Sequence, residues 1–257
     1  MDGTLVTKRL EDNIWTFNEA VELTGPQMDA YLINGAKRAL VIDTLQEETS
    51  LYRKVRELSS LPIDVLISHG HLDHAGVSTG DFYAEGCKIW MDEKDLPLIT
   101  KWGREAKWFS PLKEGQKFDL GGYCLEAISC PGHTPGSMVF LERERQHLYT
   151  GDAIGAGVFW MQIPGALPLR EFRGHLGRLW EIVKGMKDLK IHTGHRHQAP
   201  IQHDLEFLAD TLLVTDKIIS GEWIGEEKTM ERRDMRIKYR TVSYKHIKDY
   251  CYNPENI

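Results

Sequence analysis

Ser68-His69-Gly70-His71-Leu72-Asp73-His74-Ala75-Gly76 places three histidines and an aspartate within six residues. The stretch directly follows residues 63–68, a mostly apolar run of the kind found in a buried strand. His69 and His71 are two residues apart. On an extended backbone that spacing aims both imidazoles to one side; Asp73 continues that side and His74 steps away from it. One short loop thus offers ring nitrogens in two directions. Imidazole and carboxylate together suit zinc, and also iron or manganese. Gly70 and Gly76 leave the backbone free to bend around an ion. Without its context the same stretch is a surface histidine cluster.

Working outward, three further residues share that context. His133 lies in Cys130-Pro131-Gly132-His133-Thr134-Pro135-Gly136-Ser137, a Pro/Gly-rich loop after an expected strand. Asp152 closes Thr150-Gly151-Asp152, and His195 closes Thr193-Gly194-His195, each after another expected strand. Side chains just past strand ends can converge on one site. Taken singly, each would be a capping or hydrogen-bonding residue. Asp43 ends the short strand before Thr44. It is either a partner that fixes the tautomer of a histidine or the cap of the following helix. His192 and His197 flank His195 and read as neighbouring or surface residues rather than ligands.

The rest of the chain alternates strand and helix patterns. Residues 14–17 form a β-type run, and 31–34, Asn34-Gly35 and 38–43 form a hairpin with a tight turn. Thr44 and Glu47 have capping-box spacing before a helix with Leu51, Val55 and Leu58 on one face, which Pro62 closes. Strands are predicted at 63–68, 88–91, 123–129, 137–141, 148–150 and 190–193, with a final strand at 236–244. Helices are predicted at 93–100, 170–186 and 204–220. Strands before and after each helix indicate a mixed α/β chain.

The 257 residues carry a net charge of −6, with 41% hydrophobic and 27% charged residues. A sizeable core is affordable, and the acidic balance argues against nucleic-acid or anionic-membrane surfaces. The basic-aromatic tail 236–248 reads as a charged edge strand rather than a nucleic-acid surface. No apolar run approaches the roughly 20 residues that span a bilayer, and the first residues lack a signal-peptide stretch. Cys87, Cys124, Cys130 and Cys251 show no CxxC pairing, as expected of reduced thiols in a cytoplasmic protein.

Read in order, the histidines and aspartates resemble the metallo-β-lactamase fold superfamily, whose signature is HxHxDH, then His, Asp and His. The seven-residue set is similar to that of its glyoxalase II-like and lactonase-like hydrolases. The resemblance implies an α/β fold, an αββα sandwich of two mixed β-sheets flanked by helices. It implies a single such domain over 1–257, with a C-terminal helix and strand after His195. It also implies two divalent metal ions, zinc first, with iron or manganese as alternatives. His69, His71 and His133 would hold the first and Asp73, His74 and His195 the second, with Asp152 bridging. A hydroxide between two such ions attacks an electrophilic carbonyl, and Asp73 would orient it and shuttle the proton. The expected activity is hydrolysis of a small ester, thioester or lactone. The alternatives are a mononuclear iron persulfide dioxygenase using His69, His133 and Asp152, a phosphodiesterase with the same dinuclear site, and a binding protein with a silent site.

The expected partner is a small-molecule substrate with an apolar portion. Residues 153–168, with Phe159, Trp160 and Met161, either wall a pocket for it or pack onto the core or a second copy in a homodimer. Residues 101–109 form either a lid or a packed loop. Arg170 and Arg173 either meet an anionic group or are solvated.

Overall fold

The computed structural model describes residues 4–20, 27–46, 51–198, 201–232 and 235–257. Among these, the first sheet is built from β1 (Thr4–Glu11), β2 (Ile14–Ala20), β3 (Met28–Asn34), β4 (Ala39–Ile42), β5 (Ile63–Leu66), β6 (Lys88–Met91) and β7 (Phe109–Pro111), paired in that order. β1 to β4 run antiparallel and β4 to β7 parallel. The second sheet takes β8 (Lys117–Asp119), β9 (Cys124–Ser129), β10 (Met138–Glu142) and β11 (His147–Gly151). The chain then leaves for β12 (Val158–Met161) and returns as β13 (Lys190–Thr193), parallel to β11. A third sheet holds β14 (Glu226–Arg232), β15 (Met235–Tyr244) and β16 (Ile247–Tyr252), with β12 parallel to β16.

Burial on both faces of the central strands makes this a sandwich. In β3 and β4, Tyr31, Ile33, Leu40 and Ile42 point between the two large sheets, where they join Met138 and Phe140 of β10. Their neighbours Ala30, Leu32, Ala39 and Val41 point the other way, against α1 (Leu51–Leu58) and α2 (Ser78–Ala84). In β10, Val139 and Leu141 point away from the inter-sheet layer, toward Phe172, Leu176 and Leu179 of α4. After the short α3 (Leu96–Thr100), the outer layer on that side is α4 (Leu169–Val183) and α5 (Leu205–Ile219). The period-2 alternation of apolar strands thus feeds an αββα stack. Among the described residues, no helix is long and apolar enough to cross a membrane.

The two large sheets are joined at one edge by backbone bonds around the ligand loops. Met138 N–H donates to Ser68 O at 2.8 Å and Asp29 N–H to Gly194 O at 2.8 Å. Tyr31 Oη–H reaches Thr193 O at 2.6 Å.

Several expectations change. The 34–39 connection is a four-residue loop rather than a tight Asn-Gly turn, because Ala36 and Lys37 donate their N–H groups to Gly121 and Leu120 of the β8–β9 turn. The Thr44 hydroxyl contacts His74 O and Thr79 Oγ1. Glu47 lies outside the described residues. Strand 236–244 is not final, since β16 follows it. β1, α2, β12, β14 and β16 carry no clear sequence pattern. In β12 the core reading wins: Phe159 and Met161 are buried against α4 and α5. Within 101–109, Arg104 and Trp108 pack while Trp102 is exposed. The Arg104 guanidinium donates to Ala75 O and Gly76 O, and Trp108 stacks on Tyr83.

Candidate metal centre

The seven motif residues meet in two adjoining clusters, His69 with His71 and His133, and Asp73 with His74, Asp152 and His195. In the first, His71 Nδ1 lies 3.0 Å from both His69 Nε2 and His133 Nε2. In the second, His195 Nε2 is 3.6 Å from Asp73 Oδ2 and 3.3 Å from Asp152 Oδ2, and His74 Nε2 is 3.5 Å from Asp152 Oδ1. Asp152 Oδ2 also comes within 3.6 Å of His133 Nε2, so this carboxylate faces both clusters.

The backbone path differs from the extended one. His74 and Ala75 both donate N–H groups to His71 O. The chain therefore turns after His71, and Asp73 joins His74 instead of continuing the side of His69 and His71. A turn breaks the period-2 alternation that holds only for a strand.

Three backbone-proximal contacts hold the ligands. Asp43 Oδ1 accepts from Ser68 N–H at 2.7 Å, and Asp43 Oδ2 lies 2.8 Å from Ser68 Oγ and 2.7 Å from His74 Nδ1. Of its two readings, Asp43 therefore takes that of histidine partner. His133 Nδ1 reaches Trp160 O at 3.2 Å, and His195 Nδ1 reaches Gln27 O at 2.8 Å. Such partners orient ring nitrogens and fix tautomers. Asp29, which the sequence reading passes over, holds the His195 loop. Its N–H donates to Gly194 O and its Oδ2 accepts from Arg196 N–H at 2.9 Å. Its signal is an aspartate inside the otherwise apolar β3.

The electrostatics of the two clusters are opposite. Burial pushes His69 well below the usual histidine range, and the neighbouring imidazoles push the same way. Burial, with His71 beside it, brings His133 down to about 4. Burial acts against charge in His74 and His195 too, but carboxylates win there. Asp152, Asp43 and Asp73 hold His74 well above its ordinary value, and Asp152 and Asp73 raise His195 to about 10. Burial likewise opposes charge on Asp73 and Asp152, yet His74 and His195 hold both below the usual carboxylate range. In the first cluster burial disfavours charge on His69 and His133; in the second, imidazoles and carboxylates hold one another charged, positions in which a cation can replace the protons.

This donor set fits metal ions. His71 Nδ1 has a single hydrogen-bonding position and cannot serve two ring nitrogens at once. His74 Nε2 is buried and, among the described residues, has no hydrogen-bond partner. A cation resolves both, and nitrogen with carboxylate oxygen suits zinc, iron or manganese. His192 is elsewhere, stacked on Tyr149 at 4.8 Å. His197 is exposed, with its ring 6.0 Å from that of His195. Arg173 pairs with Asp216 across α4 and α5, and Arg170 is exposed.

The family model described as the metallo-beta-lactamase superfamily matches residues 23–213. A hydroxyacylglutathione hydrolase of Haemophilus influenzae is 32% identical over 155 residues, which cover 54% of this chain and 72% of that one. An acyl-coenzyme A thioesterase of Gallus gallus is 24% identical over 225 residues, covering 73% and 79%. A solved metallo-beta-lactamase from Pontibacter korlensis matches with a TM-score of 0.66 at 17% identity, covering 83% of this chain and 99% of that one, a likeness of fold. The chain belongs to the metallo-β-lactamase superfamily, and within it to the hydrolases.

Proposed function

We propose that this hydrolase cleaves a small thioester or ester, with His69, His71 and His133 holding one divalent metal ion and Asp73, His74 and His195 a second. The observation that carries the reading is Asp152, whose two oxygens face His74 on one side and His133 and His195 on the other. Bound there, such ions, zinc foremost for these donors, supply Lewis acidity and a water that deprotonates near neutral pH.

The chain's own residues do the rest. Asp73 is the more exposed of the two clustered carboxylates, at 24% against 7% for Asp152. That exposure supports a role for Asp73 in accepting a hydrogen bond from the attacking water and taking up its proton. Asp43, Trp160 O and Gln27 O keep three imidazoles in one orientation, so little reorganisation accompanies the reaction. A thioester suits this arrangement because a thiol of pKa ~8.5 leaves readily as thiolate. The two curated relatives described above are named for hydrolysis of acylated glutathione and of acyl-coenzyme A, which supports the same choice.

The test is turnover by metal-loaded protein of a hydroxyacylglutathione, an acyl-coenzyme A, a simple ester and a lactone. Asp73→Asn, compared at matched metal content, should lower kcat on the preferred thioester by about 10²–10⁴-fold. Unchanged turnover at matched metal content would remove Asp73 from the mechanism. Turnover of the lactone alone would move the substrate class.

A further inference from the structure

Asp95 belongs to neither cluster. Its side chain is wholly buried, at 0% exposure, at the start of α3, yet it makes no capping bond to that helix. Its oxygens instead collect three donors from two other loops. Gly70 N–H reaches Oδ2 at 2.7 Å, Thr134 Oγ1–H reaches Oδ2 at 2.6 Å, and Gly136 N–H reaches Oδ1 at 2.7 Å. Gly70 stands between His69 and His71, and Thr134 follows His133. One carboxylate therefore joins the two loops that carry all three nitrogens of the first cluster.

The approach is close enough to dictate sequence. A Cβ on Gly70 would lie 2.7 Å from Asp95 O and 2.8 Å from its Cβ, and one on Gly136 would lie 2.6 Å from Asp95 Cγ. Neither glycine has a positive φ. What they supply is room for Asp95 rather than backbone freedom. Among the described residues, no lysine or arginine is in ion-pair contact with this carboxylate. Burying it is costly, and three short hydrogen bonds offset part of that cost.

We propose that Asp95 is the positioning residue of the first nitrogen cluster, fixing the His69–His71 loop against the His133 loop so that the three nitrogens converge on one metal ion. This rests on reading that cluster as a metal site.

The test is equilibrium dialysis of chelator-stripped protein against graded free zinc, with metal counted per chain, and the visible spectrum of the cobalt(II) form as a second readout. His71→Ala marks the ion of the first cluster and His195→Ala that of the second. Asp95→Asn should weaken the His71-dependent ion by about 10–100-fold, leave the other nearly unchanged, and alter the cobalt bands of the first cluster alone. Equal weakening of both ions, or of neither, overturns the proposal. If Asp95→Asn does not fold, Thr134→Val decides, since it deletes one donor at constant shape. Weakening of the same ion supports the proposal, and unchanged affinity overturns it. Failure of the underlying reading looks different: wild-type protein would then hold no His71-dependent ion.

Discussion

Asp43 Oδ2 lies 2.7 Å from His74 Nδ1, and both side chains are shut away from solvent. Asp43 reaches this position from a backbone φ of 60°, and Leu45 close by has a φ of 61°. Left-handed conformations in non-glycine residues are strained and concentrate at functional sites. The contact directs Nδ1 of His74 to Asp43 and leaves Nε2 facing Asp73 and Asp152. Asp43→Asn keeps a residue tolerant of that φ while presenting an amide where the carboxylate was. It should weaken the metal held by the second cluster by about 10–100-fold. Losing the carboxylate–histidine contact should cost about 1–3 kcal/mol of stability. Metal-binding isotherms and thermal melts read the two effects separately.

Metal-free protein should show a stability maximum near the ordinary histidine value. His195 is raised to about 10 in the fold, from 6.5. Its contribution is complete below 6.5 and is lost as pH rises toward 10. His133 is lowered to about 4, so its contribution is complete above 6.5 and is lost as pH falls toward 4. The Tm of chelated protein, followed from pH 4 to 10, should therefore fall on both sides of about 6.5. Zinc competes with protons for the same nitrogens, so it should raise Tm more at the alkaline than at the acid end. A flat profile in the chelated protein would refute this electrostatic picture.

The parts of this protein that sequence makes legible are those with repeating or dense patterns. The apolar alternation of β3, β4 and β10 and the one-faced helices α4 and α5 announce the layers, because burial on a defined face imposes a period. The histidine-rich loop announces the site. What stays hidden has a physical reason in each case. β14 is exposed along much of its length, so Glu226-Glu227-Lys228-Thr229 carries no apolar period. The turn after His71 is made by backbone bonds to His71 O, which leave no residue signature. Asp29 and Asp95 act through loops that are remote in sequence, so each looks like an isolated acid.

Gly194 offers a test of how tightly the second cluster is packed. A Cβ there would collide with His74 Cε1 and lie 2.9 Å from Asp152 Oδ1. Gly194→Ala should thus lower turnover at least about tenfold without replacing a ligand, as small displacements of reacting groups do. Gly174→Ala, in α4 with nothing within 4 Å, serves as the control. It should leave turnover unchanged and stabilise the helix by up to about 1 kcal/mol. Equal kinetics in the two variants would show that the His74–Asp152 spacing is slack.

Phe140, wholly buried between the two large sheets, tests the sandwich itself. Phe140→Ala should cost about 3–5 kcal/mol in urea unfolding, from the lost transfer energy and the cavity left behind. A cost below about 1 kcal/mol would mean that the inter-sheet layer is not close-packed there.

The most direct test of the account is the metal content of protein purified without added metal, counted per chain by elemental mass spectrometry, with thioester turnover measured on the same sample. Close to two ions per chain are expected, zinc foremost. One should be lost in His71→Ala and the other in His195→Ala, with turnover falling in both. A single iron per chain, accompanied by oxygen uptake and no thioester hydrolysis, would contradict it.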